Sequence, residues 1–415
     1  WYIAATPAPV AAKGAWPRLI VSLALATIGG SGFWSVVVAL PAIGATFAVN
    51  RADASLAYGA TMVGYAAGTL VMARLADRFG ITLPVAVGTV LIGIGFIAVG
   101  YAPSLGSFML AQAVLVGVGS AAVYTPLVAD VSHWFTRRRG MAISICASGI
   151  PLAGAVWPPV MEYFFGMVGW QHTFVLLGIF CLATMAPLIL ALRRPTPIPD
   201  YGPAAAARTG RTGAAALGLT PRRLQITLVV AGVMCCVAMS VPQVHLVAYC
   251  RGLGYGATNG ADMLSLMLAA SLLSRVAFGW GSDRIGGLAT LLLGSVMQAA
   301  ALMLYGFFDG LDTLYAISAL FGFVQSGIVP SYAMIVREYF PPRQAASRLA
   351  PISVANFIGM SVGAWMAGEI FDLTGSYHMA FLNGALWNAV NIAIVAWLLL
   401  QARRWKTANV APAAA

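Results

Sequence analysis

Asp77-Arg78-Phe79-Gly80 and Asp283-Arg284-Ile285-Gly286 are two copies of one turn, 206 residues apart, each set between long apolar stretches. A second pair repeats at almost the same offset: Trp134-Phe135 before Thr136-Arg137-Arg138, and Tyr339-Phe340 before Pro341-Pro342-Arg343. Two landmarks on one period make the second half of the chain a copy of the first. Duplicated halves in a very apolar protein point to a secondary transporter, with its substrate held between the repeats.

Of the 415 residues, 60% are hydrophobic and 8% charged, against about 25% charged in a soluble domain. Mean hydropathy is +0.86. Apolar stretches of about 20 residues, each enough to cross a ~30 Å hydrocarbon core as a helix, recur from end to end. They begin near Leu19, Ser55, Leu83, Ser107, Met141 and Gln171, then near Gln225, Asn259, Leu288, Asp312, Ser347 and Met379. Six per half agrees with the duplication. The expectation is an all-α membrane protein of twelve transmembrane helices in two pseudo-symmetric six-helix bundles. Its parts would be a tail (1–18), a bundle (19–192), a linker (193–224), a second bundle (225–402) and a tail (403–415). The linker holds Pro195, Pro197, Pro199 and Pro203, then an Ala/Gly/Thr/Arg stretch of little apolar content, a composition suited to a flexible connection. No stretch elsewhere is long enough for an appended enzyme head.

The net charge of +11 would suggest nucleic acid in a soluble protein, but its distribution argues for a membrane. Arg74, Arg78, Arg137, Arg138, Arg139, Arg193, Arg194, Arg222, Arg284 and Arg343 fall in every second connection, and Arg403, Arg404 and Lys406 in the tail. The alternate connections hold only Arg51 and Arg251. This positive-inside pattern predicts a multi-pass protein of the inner membrane with both termini cytoplasmic. The lipid bilayer is the expected partner, and nucleic acid is not. Cys146, Cys181, Cys235, Cys236 and Cys250 sit in or beside apolar stretches without metal or disulfide spacing. No cofactor, metal or enzymatic chemistry is expected, since metal-ligand clusters, phosphate loops and nucleophile motifs are missing. The first apolar run is long enough to stay as a span, so no cleavable signal peptide is expected.

In the repeated turn, glycine permits the bend, and the carboxylate can cap a helix or pair with an arginine across the bundles. Asp77, Arg78, Asp283 and Arg284 are therefore a candidate cytoplasmic gate, joined by Asp130 at the inner end of span four. A turn that only fixes topology would use the same residues. On these motifs the chain resembles the major facilitator superfamily, whose loop reads Gly-x-x-x-Asp-Arg-x-Gly followed by basic residues. The second copy keeps Gly279, Asp283, Arg284 and Gly286, whereas the first has Ala73 in place of the leading glycine. Both lack the trailing basic pair. Tyr124-Thr125-Pro126 and the run from His133 to Ala142 are similar to the monocarboxylate-porter and oxalate/formate-exchanger branch. That resemblance implies a monomeric carrier of small carboxylates, working as a proton symporter or an anion antiporter.

Arg275 is the leading binding candidate, in Leu272-Leu273-Ser274-Arg275-Val276 of span eight. An arginine within a span costs ~2.5–3.5 kcal/mol on insertion scales at the helix centre, so such residues usually face a cavity or a partner. The repeat offset sets it opposite Thr69, so this charge is no part of the duplicated scaffold. Monocarboxylate porters carry a substrate-pairing arginine in this span, and a guanidinium matches a carboxylate with two parallel donors. Snorkelling toward the cytoplasm or an internal partner would also account for it.

The branch often has an acid one turn earlier, where this chain has Ser271. Some members have a lysine in span one, which is absent around Trp34, or in span eleven, where Asn356 stands. One clear cavity cation favours a monocarboxylate over a dicarboxylate. His245, in Pro242-Gln243-Val244-His245, is the proton-coupling candidate, because histidine titrates near neutrality; an interfacial hydrogen-bonding role is the plainer one. Tyr124, Tyr332, Trp34, Tyr65, Asn356, Gln325 and Ser271 are candidate cavity residues, with ordinary helix packing as the alternative for each. Two other readings stay open here: an exporter of drugs or amphipathic metabolites, and a non-transporting membrane sensor on the same scaffold.

Overall fold

The computed structural model describes residues 14–135, 139–193, 217–340 and 344–410. The linker core (194–216), the outer parts of both tails, Arg137, Arg138 and Arg343 lie outside the described residues. No strand occurs among those described.

Ten helical segments are each long and apolar enough to cross a bilayer once. These are Ala15–Phe47, Arg51–Phe79, Thr82–Gly100, Leu105–Val131, Pro221–Gly252, Gly256–Ser282, Gly287–Phe307, Leu311–Tyr339, Arg348–Thr374 and Tyr377–Trp405. An eleventh, Met141–Arg193, has 53 residues, which as one helix would run ~80 Å. A bilayer accommodates less than half of that. At Gly169 the backbone turns to φ 80°, ψ 160°, outside the helical region, and divides the segment into two spans, 141–169 and 170–193. Among the described residues the total is twelve, numbered here in chain order, with six on each side of the linker. An even number puts the start of span one and the end of span twelve on one face, called the terminal face below; the other is the far face.

The span starts follow local chemistry. The Asn50 side chain accepts the Asp53 amide at 2.7 Å to open span two, and Thr220 caps span seven with Pro221 in its first turn. Ser104 and Ser107 form a reciprocal capping box before span four. The duplicated turn repeats in three dimensions. Gly80 has φ 78°, ψ 175° and Gly286 φ 84°, ψ 163°, and their amides bond Ala76 and Ser282 at 2.9 and 3.0 Å. A side chain would strain either position.

One reading of the first span changes. Its helix starts at Ala15, so Arg18 lies inside the bundle and only 4% of it is exposed. The charge is tolerated there because Asp130 meets it directly, at 2.8 and 3.0 Å.

The halves meet along three pairs of spans: two with eleven, five with eight, and one with seven. Small residues let these backbones approach. A Cβ on Gly154 of span five would strike Trp34 and Leu268, and one on Gly368 would come within 2.8 Å of the Ala52 backbone.

Candidate substrate-binding site

Arg275 reaches across the seam between the halves. Its Nε donates to Ser326 Oγ of span ten at 3.1 Å. One terminal nitrogen donates to the carbonyl of Ala147, on span five of the other half, at 2.9 Å. Both acceptors are neutral, and no carboxylate pairs with Arg275 among the described residues. It sits ten residues short of the helix end at Ile285, so it lies in the terminal-face half of span eight and not at its centre.

The sequence explains why Ala147 has a carbonyl to offer. In an α-helix that oxygen would accept from the amide four residues on, but residue 151 is Pro151, which has none. The helix breaks at Ser148 as a result. The same device recurs eight residues later: Pro159 frees the carbonyl of Ala155, which accepts from Ser265 Oγ of span eight. Span five thus presents proline-released oxygens to span eight, an arrangement the sequence showed only as generic kinks.

Aromatic side chains enclose the same seam. Tyr65 packs on Phe33 at 5.2 Å and on Phe357 of the other half at 5.0 Å between ring centroids. Trp34 touches Phe33 at 5.6 Å, and its indole donates to the Ile150 carbonyl at 3.1 Å. The hydroxyls of Tyr58 and Tyr65 are buried without a hydrogen-bond partner among the described residues, seven positions apart on one face of span two. Buried hydroxyls are normally satisfied, so these two are suited to a polar guest. Tyr58 was not singled out from sequence. Tyr124 lies within electrostatic range of Tyr65, where span four is interrupted: a π-helical turn over Gln112–Gly117, then a break before Thr125.

Other candidates settle elsewhere. Ser271 is buried and bonds its own helix at Leu268. Asn356 is 7% exposed, packs against Gly232 of span seven, and leaves its side-chain oxygen unpartnered. Gln325 accepts from Gln243 at 2.6 Å. Tyr332 belongs to the core of the second half, its hydroxyl reaching Asn391 of span twelve. The packing of spans seven, ten and twelve turns Tyr332 and Gln325 toward their own bundle.

At the far face the halves are joined by contacts that sequence reasoning missed. The Asp372 carboxylate, on span eleven, accepts the Arg51 and Ala52 amides at 3.1 and 2.8 Å. It thereby caps span two of the opposite half, where the helix dipole favours an anion. The Arg51 guanidinium stacks 3.6 Å over Phe371 and donates to Tyr377 Oη at 2.8 Å. His245 is buried, 1% exposed, between the halves, with Ser55 Oγ of span two 3.4 Å from its Nε2. Its Nε2 meets the Ala364 carbonyl at 2.7 Å, and its Nδ1 meets Tyr377 Oη at 3.1 Å. A carbonyl only accepts, so Nε2 carries the proton and Nδ1 takes the tyrosine's.

Asp372→Ala removes the cap. In that background, Ser361→Cys, placed between spans two and eleven beside Gly59, is expected to react several-fold faster with an impermeant maleimide added at the far face. Labelling equal to that of Ser361→Cys alone would show that Asp372 does not hold the face shut.

Among the terminal-face candidates, Arg78 and Arg284 lie against rings of their own loops. Asp77 and Arg78 are exposed, with Arg78 5.4 Å from the Phe79 ring centroid. Arg284 stacks on Trp280 at 3.7 Å; the Asp283 side chain lies outside the described residues. Asp130 joins Arg18 in its own half. Among the described residues, the hydrogen bonds between the halves run from the far face as deep as Arg275.

The profile of the Major Facilitator Superfamily matches residues 20–315 and 262–414. The chain belongs to that superfamily. It is thus a multi-pass membrane transporter and not an enzyme. Monocarboxylate transporter 13 of Bos taurus is 27% identical over 323 residues, covering 76% of this chain and 73% of that protein. Monocarboxylate transporter 11 of Mus musculus is 26% identical over 394 residues, covering 92% and 81%. Among solved structures, a point mutant of the nucleoside transporter NupG superimposes with a TM-score of 0.72 at 13% identity, covering 93% of this chain and all of that one. A bacterial homologue of the human lysosomal transporter Spinster, inward-facing and unoccupied, gives 0.68 at 15% identity, covering 94% and 96%. These superpositions agree on the superfamily fold; the monocarboxylate-porter branch comes from the sequence relatives.

Proposed function

We propose that this transporter moves a small organic anion, a monocarboxylate first, by alternating access, with Arg275 as the cation that holds it. The observation that carries the reading is a guanidinium on the seam bonded to two neutral oxygens and, among the described residues, to no acid. An incoming carboxylate offers a charge-assisted, two-pronged partner that neither oxygen can match. Two monocarboxylate transporters among the relatives support the substrate class. The membrane is the inner membrane, with both termini cytoplasmic and the protein working as a monomer. The latched far face then makes this the inward-facing state. The loops at Asp77/Arg78 and Asp283/Arg284 are the gate of the opposite state, and energy comes from proton symport or anion exchange. For symport His245 is the proton carrier: a second proton at Nδ1 would reverse the Tyr377 hydrogen bond, beside the Arg51 charge, and loosen the latch.

Binding and rocking share one contact in this scheme. Substrate draws Arg275 away from Ala147, and so loosens span eight from span five, which Ser265 still joins at the Ala155 carbonyl. Pro151→Ala restores the amide that would occupy the Ala147 carbonyl. With one neutral competitor weakened, monocarboxylate Kd is expected to fall about fivefold, the equivalent of one net hydrogen bond at ~1 kcal/mol. An unchanged Kd would refute the exchange of partners.

The test of the whole reading is uptake into proteoliposomes of a labelled panel of monocarboxylates, dicarboxylates and neutral amphiphiles, with and without an inward proton gradient. Saturable monocarboxylate uptake is expected, and its response to the gradient separates symport from exchange. Transport confined to neutral amphiphiles would replace this reading with the exporter.

A further inference from the structure

A cavity of about 250 Å³ opens at the far face between spans one, two, seven and twelve. One wall is polar, with Asn50, Arg51, Arg251 and Tyr377; the other is apolar, with Leu40 and Pro41 prominent. No carboxylate lines it. Two acids stand behind the wall. Asp372 is spent on the backbone amides of Arg51 and Ala52, and Glu162 lies within electrostatic range of Arg251.

The two arginines differ in a way that suits capture. Arg51 is held by Phe371 and by Tyr377, so its guanidinium is a fixed charge. Arg251, in the last turn of span seven, is exposed and has no hydrogen-bond partner among the described residues. Asn50 adds donors, since its side-chain oxygen is used on the Asp53 amide and its NH₂ group is left. Paired guanidinium groups recognise carboxylates well. The opposite apolar wall would cover a short hydrocarbon chain, and the volume is below the ~300–1,000 Å³ of ordinary drug-sized sites.

We infer that this cavity is a second, outer anion site that takes a short-chain monocarboxylate between Arg51 and Arg251. It is distinct from the Arg275 site, which lies roughly 28 Å further along span eight from its far-face end. In the latched state it would hold substrate at the closed door, ahead of the seam. The choice of a carboxylate probe rests on the proposed substrate class; the two cations, the absence of a lining acid and the apolar wall do not.

Equilibrium binding of labelled butyrate to the purified full chain in detergent tests it, in wild type, Arg275→Ala, Arg251→Gln and Arg251→Lys, with chloride or sulfate as the buffer anion. Wild type is expected to show two saturable classes. Arg275→Ala should keep one, which Arg251→Gln should weaken about tenfold or more and Arg251→Lys only partly. Both classes surviving in Arg251→Gln would overturn the proposal. So would the absence of saturable binding in Arg275→Ala when wild type binds, an outcome that leaves the Arg275 reading intact. Binding lost in Arg251→Gln yet unaltered in Arg275→Ala would uphold the outer site and remove Arg275 from the substrate. If chloride displaces the retained class and sulfate does not, the cavity is an inorganic-anion site and the carboxylate assignment falls.

Discussion

Arg275→Ala is expected to abolish saturable monocarboxylate uptake while leaving the protein folded. A hydrogen bond to a charged group contributes about 1.5–3 kcal/mol, which is roughly 10- to 150-fold in affinity. Two such bonds from one guanidinium place the loss at or beyond the upper end of that range. The cost to stability should be small, because among the described residues Arg275 bonds Ser326 and Ala147 and pairs with no acid. Arg275→Lys keeps the charge but presents a point and not a planar fork. It should therefore retain weak uptake with a raised KM. Ser326→Ala removes one neutral contact and should leave transport within a few-fold of wild type. The measurement is initial uptake rate against concentration, each variant normalised to reconstituted protein and checked by its melting temperature. Wild-type kinetics in a well-folded Arg275→Ala protein would dismiss the binding role outright.

The fold was legible because its signals are long. Apolar runs of span length and a doubled turn survive without knowing any tertiary contact, and the twelve starting points named from sequence lie within a few residues of the helices observed. Arg275 was legible for a related reason: a charge in an apolar run stands out, and its lack of a counterpart in the other half separates it from scaffold charges. Contacts between distant segments were not legible. Asp372 reads as one more acid near a span end, yet it caps the helix that starts at Arg51, 321 residues away. Tyr58 looks like ordinary packing until its hydroxyl is found buried and unpartnered. Tyr332 shows the opposite case. A tyrosine in span ten suggested a cavity wall, but rotation of that helix faces it to Asn391, and rotation about a helix axis is weakly encoded when every face is apolar. Pro151 and Pro159 were visible as kinks, but their use depends on which side chain of span eight meets the freed oxygen.

Arg18 and Asp130 supply the largest expected effect on stability. Read from sequence, Arg18 was a tail charge and Asp130 a member of the terminal-face gate. In the structure they form a two-pronged pair with 4% and 6% exposure. Arg18 also donates to the Leu192 carbonyl at 2.9 Å and lies 5.0 Å from the Trp134 ring centroid. Spans one, four and six are thereby tied together within one half. Removing one member takes an opposite charge from a group buried away from water, at ~3–5 kcal/mol. Asp130→Ala and Arg18→Ala should each lower the melting temperature in detergent by several degrees or prevent recovery of folded protein. Replacing the pair together, as Arg18→Met with Asp130→Leu, removes both of its charges, and an apolar pair of similar volume is often as stable as the ions it replaces. The double variant should therefore melt above either single one. Its uptake per folded molecule separates the two roles. A fastener within one bundle can be replaced without loss of transport, so near wild-type turnover is expected. A stable double variant with collapsed turnover would return Asp130 to the gate, and single variants that melt like wild type would mean the pair holds nothing together.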